Sequence, residues 1–300
     1  IEAPVYPFES PNFLPSAQNK QVNLVKSVAY NVFRLHKYMS SIRYINRMIK
    51  ETGADVVINF YELLTGLTYL FCRPKAVMVC IAHQYLFLHP DFTFPKENRL
   101  SLASLKFFTR ITAIGAAKKL ALSFRKMREV TADGIVVVPP LLRKEGLEMT
   151  PTKGDYLHGY LLNSGFGEEI CSWHKVHPSV ELYMNDTLFV RYMAGARAYA
   201  TTAGFESVCE AMYLGKPVLM VPTHIEQACN AFDAVHAGAG VIADRFDLDA
   251  LLQLSQTHQP DLAFSHWVKQ ADWLILREFR PDLLMEETPA SLWHRLSTRW

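Results

Sequence analysis

Two kinds of segment alternate along the chain: short apolar runs, and longer stretches whose apolar residues recur at helical spacing. The apolar runs are bounded by turn-forming residues, which is typical of strands buried in parallel sheets. They lie at 53–60, 76–81, 134–140, 156–162, 180–184, 196–200, 218–221 and 238–243. Because helical stretches stand between most of them, the pattern predicts an α/β protein built from parallel sheets.

The helical stretches differ in length. The predicted helices lie at 22–50, 100–127, 168–175, 188–194, 247–254 and 264–279, with two more after 204 and near 225. We expect 22–50 to be one long helix with a basic outer face, and 100–127 to be another with a basic end. The basic face of 22–50 suits either solvent or acidic lipid head groups, and the sequence leaves both open.

The first of two loops that carry chemistry follows the predicted strand 196–200. It is a turn of small residues, Thr202, Ala203 and Gly204, and the helix after it includes Ser207. Small residues let a ligand approach the backbone, and the free N–H groups of a helix N-terminus bind anions. We therefore expect a phosphate-binding loop here.

The second loop follows the strand 218–221 and opens the next helix with Glu226, Gln227 and Asn230. A carboxylate accepts hydrogen bonds, and an amide both accepts and donates them. Parallel strands present their carboxyl ends at one edge of a sheet, so both loops are expected at the same ligand. Together they favour a ligand rich in hydroxyl groups, such as a sugar.

Composition narrows the alternatives. The 300 residues allow one large or two medium domains, and the net charge of +2 gives no argument for a nucleic-acid partner. The five cysteines are an odd number without a C-x-x-C spacing, which favours a reducing, cytoplasmic setting. No apolar run has membrane-spanning length. No spacing of His and Cys is typical of a metal site, so no metal is expected.

The segment 202–230 resembles the nucleotide-sugar-binding region of glycosyltransferases with the two-domain GT-B fold. Those enzymes carry a His-x-Gly-x-Gly-Thr/Ser loop, a Glu-Ala-Leu helix, a Gly-x-Pro strand entry, a Pro and an Asp/Glu-Gln-x-x-Asn-Ala helix. In the same order and spacing the chain has Thr202-Ala-Gly204-Phe-Glu-Ser207, Glu210-Ala-Met, Gly215-Lys-Pro217, Pro222 and Glu226-Gln-Ala-Cys-Asn230-Ala. The similarity is greatest to the branch with the peptidoglycan N-acetylglucosaminyltransferase and the natural-product UDP-glycosyltransferases. Thr202 and Glu206 depart from the pattern, since they stand where the family has His and the second Gly.

This resemblance implies two Rossmann-like parallel-sheet domains that face each other across a cleft. We assign 1–145 to an acceptor-side domain, 146–155 to a linker, 156–280 to a nucleotide-sugar-binding domain and 281–300 to a tail. The family's first strand and glycine-rich loop have no counterpart here. The first domain is therefore expected to be incomplete, and the chain to be N-terminally truncated.

The resemblance also implies the site. The turn Asn163, Ser164 and Gly165 is expected to approach the donor diphosphate, although such a turn equally suits an ordinary strand-to-helix connection. The predicted donor site comprises Asn163, Ser164, Gly165, Thr202, Ala203, Gly204, Ser207, Glu226, Gln227 and Asn230. On the acceptor side, Asn59, Glu62 and Gln84 follow two strands of the first domain.

A general base must take the proton of the acceptor. The usual base of the family, a His in the first N-terminal loop, is missing from this chain. His83 is the replacement that we suggest, and the alternative is that it caps or packs locally.

The implied reaction moves a hexosyl or N-acetylhexosaminyl group from a nucleoside diphosphate sugar, such as a UDP-sugar, without metal or cofactor. The sequence does not specify the acceptor, for which a lipid or a cell-envelope glycan is one option. The setting is expected to be the cytoplasm, with peripheral contact at the inner face of the membrane left open. Two other functions stay open. One is a degenerate transferase that binds nucleotide without turnover, and the other is a nucleotide-sugar 2-epimerase on the same fold.

Overall fold

The first of two parallel sheets lies in the N-terminal half of the chain. The structure, a computed structural model, describes residues 4–12, 24–130, 133–161, 164–184 and 189–279. The first sheet has the order β1-β2-β3-β4. Its strands are β1 (Val56–Asn59), β2 (Val77–Ala82), β3 (Ala116–Leu122) and β4 (Ile135–Val138). Its helices are α1 (Leu24–Val32), α2 (Leu35–Glu51), α3 (Leu63–Cys72) and α4 (Arg99–Thr112), and a 3₁₀ helix at His83–Leu88 follows β2 directly.

The second sheet has five parallel strands in the order β6-β5-β7-β8-β9. Its strands are β5 (Leu157–Tyr160), β6 (Leu182–Met184), β7 (Ala198–Thr201), β8 (Val218–Met220) and β9 (Gly240–Ile242). The helices after β4 are α5 (Lys144–Glu148), α6 (Gly167–Val176), α7 (Phe189–Gly195), α8 (Phe205–Tyr213), α9 (Ile225–His236), α10 (Leu248–Thr257), α11 (Leu262–Val268) and α12 (Ala271–Leu276). The strand order reverses between β5 and β7, so the crevice outside their carboxyl ends is the expected ligand position.

The predicted α/β class with parallel sheets is confirmed, and each of the eight predicted apolar runs overlaps a strand. Asp247, a residue type that favours helix N-caps, caps α10, because its carboxylate accepts a hydrogen bond from the Ala250 N–H at 3.0 Å. Gly215 follows α8 with a left-handed φ of +68°, a conformation that commonly ends helices.

The long helix predicted at 100–127 is wrong, because its second half is the central strand β3. Helix α4 ends at Thr112, and Gly115 then turns the chain with a φ of +82° against the ring of Tyr69. Alanine, lysine and leucine favour helix, but pairing with β2 and β4 overrides that local preference. Lys118 and Lys119 consequently lie on a strand and not at a helix end.

Two other predicted helices are each divided in two. The stretch 22–50 breaks between α1 and α2, and 264–279 breaks between α11 and α12. The basic face predicted on 22–50 is partly covered, since Glu9 forms ion pairs with Arg34 at 3.0 Å and Lys37 at 2.6 Å. None of the helices in the described ranges is long and apolar enough to cross a membrane.

One apolar cluster joins the two sheets. Ile81 and Leu122 from the first sheet belong to the same buried cluster as Phe205 and Val208 of α8 and Met220 of β8. Helix α9 also docks on the first domain, where its Cys229 and Ile225 pack in a cluster whose other members all come from the first domain. The two domains therefore meet through an interface with an apolar core. The domain boundaries assigned from the sequence stay a prediction.

The chain passes between the domains twice. Residues 139–156 lead from β4 to β5 and include α5. At the other end, α11 packs on α8 of the second domain, whereas α12 returns to β4 of the first. Lys118 on β3 fixes this return, because its Nζ lies 2.8 Å from Glu278 Oε2.

Candidate functional site

The donor loop connects β7 to α8. Gly204 is the N-cap of α8, with φ −65° and ψ 132°. Ala203 before it has a φ of +65°, a left-handed conformation that is uncommon for a residue with a side chain. The Asn230 amide on α9 donates to the Ala203 carbonyl at 3.3 Å, and the Ser207 hydroxyl donates to the Gly204 carbonyl at 3.0 Å. Asn230 thus supports the shape of the loop.

The N-terminus of α8 is open to an anion. A glycine N-cap has no side chain that could accept from the first N–H groups of the helix, so these groups remain available. Glu206, the departure from the family pattern, is exposed on the first turn. Thr202 is buried at the base of the loop. The arrangement can place backbone N–H groups on a phosphate.

Helix α9 begins at the same sheet edge with Glu226 and Gln227. The buried Gln227 amide oxygen accepts from the Thr223 N–H at 2.9 Å and from the Thr223 hydroxyl at 2.7 Å, so Gln227 fixes the loop. Glu226 is half-buried and reaches the first domain, where the Gln84 amide donates to its Oε1 at 2.8 Å. Burial raises the pKa of Glu226, the Gln84 hydrogen bond opposes this, and the nearby Glu206 carboxylate adds to the increase.

His83 lies where the two domains meet. Its ring stacks on Phe205 with centroids 4.0 Å apart, and Phe124 packs edge-on against it at 5.4 Å. Nδ1 lies 2.7 Å from the Leu122 carbonyl, which can only accept, so this nitrogen carries the proton and Nε2 is left with a lone pair. Burial lowers the pKa of His83 to about 4, whereas Asp233 and the Leu122 carbonyl act in the opposite direction.

This environment limits what His83 can do. Its Nε2 is buried and has no hydrogen-bond partner, and the residue is 2% exposed. The neutral ring has the tautomer that a general base needs. Because His83 is enclosed by Phe87, Phe124 and Phe205, an acceptor hydroxyl can reach Nε2 only if neighbouring side chains move.

Polar residues on one face of α9 meet the first domain or the donor loop. Glu226, Asn230 and Asp233 recur at spacings of four and three, which places them on one side of the helix. The carboxylate of the buried Asp233 accepts from Arg125 of the first domain at 3.1 Å. Asp233 and Arg125 were not predicted from the sequence, although the helical spacing after Glu226 was a signal for Asp233.

Asn59 and Glu62, predicted on the acceptor side, serve local structure. The Asn59 amide donates to the Thr112 carbonyl at 2.8 Å, and its oxygen accepts from the Glu62 N–H at 2.7 Å. The Glu62 carboxylate caps α3 by accepting from the Leu64 N–H at 3.0 Å, and also accepts from the Ser10 hydroxyl at 2.7 Å. The structure brings Gln84 to the donor residues, but not these two.

The predicted turn after β5 is described in part. Asn163 lies outside the described residues. Ser164 and Gly165 belong to a short 3₁₀ helix, Ser164–Phe166, that follows β5. Because β5 pairs with β7, this turn and the donor loop follow neighbouring strands at one sheet edge.

Two basic residues link the connection between the domains to the second domain. Arg143 makes two hydrogen bonds of 2.6 Å with the carboxylate of Glu210 on α8, and its guanidinium lies 5.0 Å above the ring of Phe189. Lys216 is buried and donates to the Thr152 carbonyl at 2.5 Å, and burial lowers its pKa to about 8. No local pattern indicated either contact, because the members of each pair are far apart along the chain.

Across the residues that the structure describes, no group of three or more His, Cys, Asp or Glu side chains could hold a metal ion. The absence of metal in the reaction stays a prediction.

Two parallel sheets in contact, with an open helix N-terminus at the strand-order reversal of the second, constitute the GT-B type of α/β fold. The model of a family described as "Glycosyl transferase family 1" matches residues 174–254, which include the donor loop and the start of α9. The sequence matches none of the curated proteins.

Solved glycosyltransferases have a similar fold. The chain is similar to the glycotransferase of kitacinnamycin, with 14% identity and a TM-score of 0.52, over 90% of this chain and 82% of that one. The spinosyn forosaminyltransferase SpnP has 12% identity and a TM-score of 0.52, over 82% of this chain and 80% of that one. UGT2 of Phytolacca americana, complexed with UDP-2-fluoro-glucose and pterostilbene, has 13% identity and a TM-score of 0.52. The similarity covers 89% of this chain and 80% of that one. At these identities the similarity shows the fold alone.

Proposed function

We propose that the protein is a glycosyltransferase that takes its sugar from a nucleoside diphosphate sugar. The observation that carries the proposal is the meeting of two helix starts at one sheet edge. The open N-terminus of α8 suits a diphosphate, and Glu226 on α9 suits the hydroxyl groups of a sugar. The family match over 174–254 includes both.

The contacts of each residue indicate its proposed role in donor binding. The backbone N–H groups after Gly204 would offset the charge of the diphosphate without a bound metal. Glu226 would accept from the sugar hydroxyls. Asn230 and Gln227 would hold the two loops in shape, since their amides are already bonded to Ala203 and Thr223. In this role they act through the loops and do not need to touch the donor.

A UDP-sugar is the donor that we propose. It is supported by the UDP-2-fluoro-glucose bound to UGT2 of Phytolacca americana, a protein of similar fold. A hexosyl or N-acetylhexosaminyl group, and a lipid or glycan acceptor in the cytoplasm, complete the proposal. They rest on the sequence resemblance.

The experiment is a calorimetric titration of UDP, GDP, dTDP and ADP into the wild type, Gly204→Asp and the control Gly204→Ala. A Cβ at Gly204 would have Ser207 Oγ as its nearest neighbour at 3.5 Å, an ordinary contact. The φ of −65° also suits a side chain, and aspartate is a preferred N-cap. Gly204→Asp should therefore fold with equal or slightly higher stability. Its carboxylate should nevertheless occupy the N–H groups that bind phosphate.

The expected result is that one nucleotide binds the wild type and Gly204→Ala similarly, and Gly204→Asp at least about tenfold more weakly. Binding of no nucleotide, or equal binding by all three proteins, would refute the phosphate-loop assignment.

A second function is favoured by one observation: the only base that we propose is enclosed between Phe205 and Phe124. A protein in this state would bind nucleotide and turn nothing over. Release of free nucleotide from UDP-glucose, measured with and without a panel of acceptors, separates the two functions. A bound nucleotide without any release would support the binding protein.

A further inference from the structure

A single hydrogen bond links the sugar-binding end of α9 to the opposite domain. The Gln84 amide, on the 3₁₀ helix after β2, donates to Glu226 Oε1 at 2.8 Å across 142 residues of sequence. Both side chains are half-buried. A bond between an amide and a carboxylate in such a position is stronger than one between neutral groups, because one partner is charged.

The bond leaves two oxygen atoms available. Glu226 has a second carboxylate oxygen and Gln84 has its amide oxygen, and neither has a hydrogen-bond partner among the residues that the structure describes. Both atoms are acceptors. The two domains thus present one acceptor each at the same place, beside the start of α9.

A pair of acceptors selects the chemistry of its ligand. Hydroxyl groups of a sugar donate, and neighbouring hydroxyls can donate to both oxygens at once. The exposed Glu206 is close enough to influence the Glu226 carboxylate, so the local charge is negative. A neutral sugar with free hydroxyls fits this arrangement.

We propose that Gln84 is a sugar-recognition residue that orients the Glu226 carboxylate from the other domain and supplies the second acceptor to the same sugar. The proposal rests on the function proposed above and moves Gln84 from the acceptor side to the donor side. Domain contact and sugar recognition then depend on the same bond.

The test compares a nucleotide with its sugar derivative. UDP and UDP-glucose are titrated into the wild type, Gln84→Met, Gln84→Glu and Gln259→Met. Gln84→Met keeps the length of the side chain and removes its polar atoms. Gln259→Met is the matched control, because Gln259 is exposed between α10 and α11. Thermal unfolding of each variant checks that it is folded.

The expected result is equal UDP affinity in all four proteins. UDP-glucose should bind Gln84→Met about tenfold more weakly than the wild type, which corresponds to the loss of one hydrogen bond between neutral groups. Gln259→Met should behave as the wild type. Gln84→Glu should be weaker than Gln84→Met at neutral pH, because two carboxylates then face each other.

A pH series separates recognition from mere packing. Burial raises the pKa of Glu226 and the Gln84 N–H lowers it, so Gln84→Met should raise it further. As the pH falls, the gain in affinity from the sugar should therefore disappear at a higher pH in Gln84→Met than in the wild type. Gln84→Glu should instead recover affinity on acidification, because one shared proton removes the repulsion.

Other titratable groups near Glu226 would not produce the same differences between the variants in the pH dependence of affinity. The pKa of Tyr61 and that of Cys229 are both raised by burial, in Cys229 to about 12, which is far from the acidic range. His224, whose pKa is lowered by burial, is common to all variants, so its contribution cancels when the variants are compared at the same pH.

The outcomes distinguish the two proposals. If UDP does not bind the wild type, both the proposed donor and this inference fail. If UDP binds and UDP-glucose binds the wild type and Gln84→Met equally, the inference on Gln84 fails while the proposed function stands. A loss of UDP affinity in Gln84→Met equal to the loss for UDP-glucose also refutes it, because Gln84 would then act on the whole site.

Discussion

Replacement of Arg143 by methionine should destabilise the second domain through a carboxylate that loses its partner. Arg143 belongs to the connection between the domains and holds Glu210 of α8 with two hydrogen bonds of 2.6 Å. The Glu210 side chain is only 3% exposed, whereas the Arg143 side chain is 52% exposed. Arg143→Met keeps most of the side-chain volume, so the lost charge and hydrogen bonds dominate the effect.

The magnitude follows from the uneven exposure of this pair. Removing one partner of a fully buried pair costs about 3–5 kcal/mol, and exposed pairs contribute about 0.2–1 kcal/mol. Here the carboxylate is buried, but water can enter from the arginine side once the guanidinium is gone. We therefore expect Arg143→Met to lower the free energy of unfolding by about 2–3 kcal/mol.

The assay is urea unfolding followed by tryptophan fluorescence, with Lys144→Met as the control. Lys144 is the next residue, and its pair with Glu148 at 3.6 Å is exposed on both sides, at 88% and 67%. Its replacement should cost no more than about 0.5 kcal/mol. In a double-mutant cycle, Glu210→Gln should recover about 1–2 kcal/mol of the loss in Arg143→Met, because no charge is then left buried.

Two outcomes would refute this reasoning. One is a loss in Arg143→Met no larger than that in Lys144→Met. The other is a coupling energy near zero in the double-mutant cycle. Either result would mean that the buried carboxylate finds water or another donor when Arg143 is removed.

Two further predictions concern the first domain. His83 has a pKa of about 4 in the folded protein, against an ordinary value of 6.5. Between these two pH values the unfolded chain therefore binds more protons than the folded protein. The free energy of unfolding should fall by up to about 3 kcal/mol as the pH drops from 6.5 to 4. His83→Phe, which keeps a ring against Phe205, should flatten this dependence in urea titrations at several pH values, and an unchanged slope would contradict the assignment. Gly66→Ala should cost about 1–3 kcal/mol, because its Cβ would lie 2.3 Å from a carbonyl oxygen of α4. Gly167→Ala, which has nothing within 4 Å of the added Cβ, should be neutral or stabilising when both glycine variants are compared with the wild type by urea unfolding.

Much of the fold followed from local pattern. Continuous apolar runs such as 134–140 and 218–221 are too short for a helix and are bounded by proline or glycine, so they could only be buried strands. Strand β3 was missed for the opposite reason. Its residues Ala116–Leu122 favour helix locally, and only two neighbouring strands, which lie far away in sequence, make it a strand.

In the site as well, contacts between residues far apart in sequence are the ones that were not predicted. Each of the loops 202–207 and 226–230 is a continuous stretch of sequence, so a sequence motif could place both at one sheet edge. The partners that act on them come from the other domain. Gln84 lies 142 residues from Glu226, and Arg125 lies 108 residues from Asp233. No local pattern carries the information that these pairs meet.

The double passage of the chain between the domains restricts their relative movement. One covalent segment crosses at 139–156 and the other between α11 and α12, and both ends of each crossing are packed on a sheet or helix. If the two crossings act as fixed points, the rigid-body motion left to one domain relative to the other is a rotation about the line through them. We therefore expect any widening of the space around His83 to be mainly a rotation about that line, which a single angle would describe.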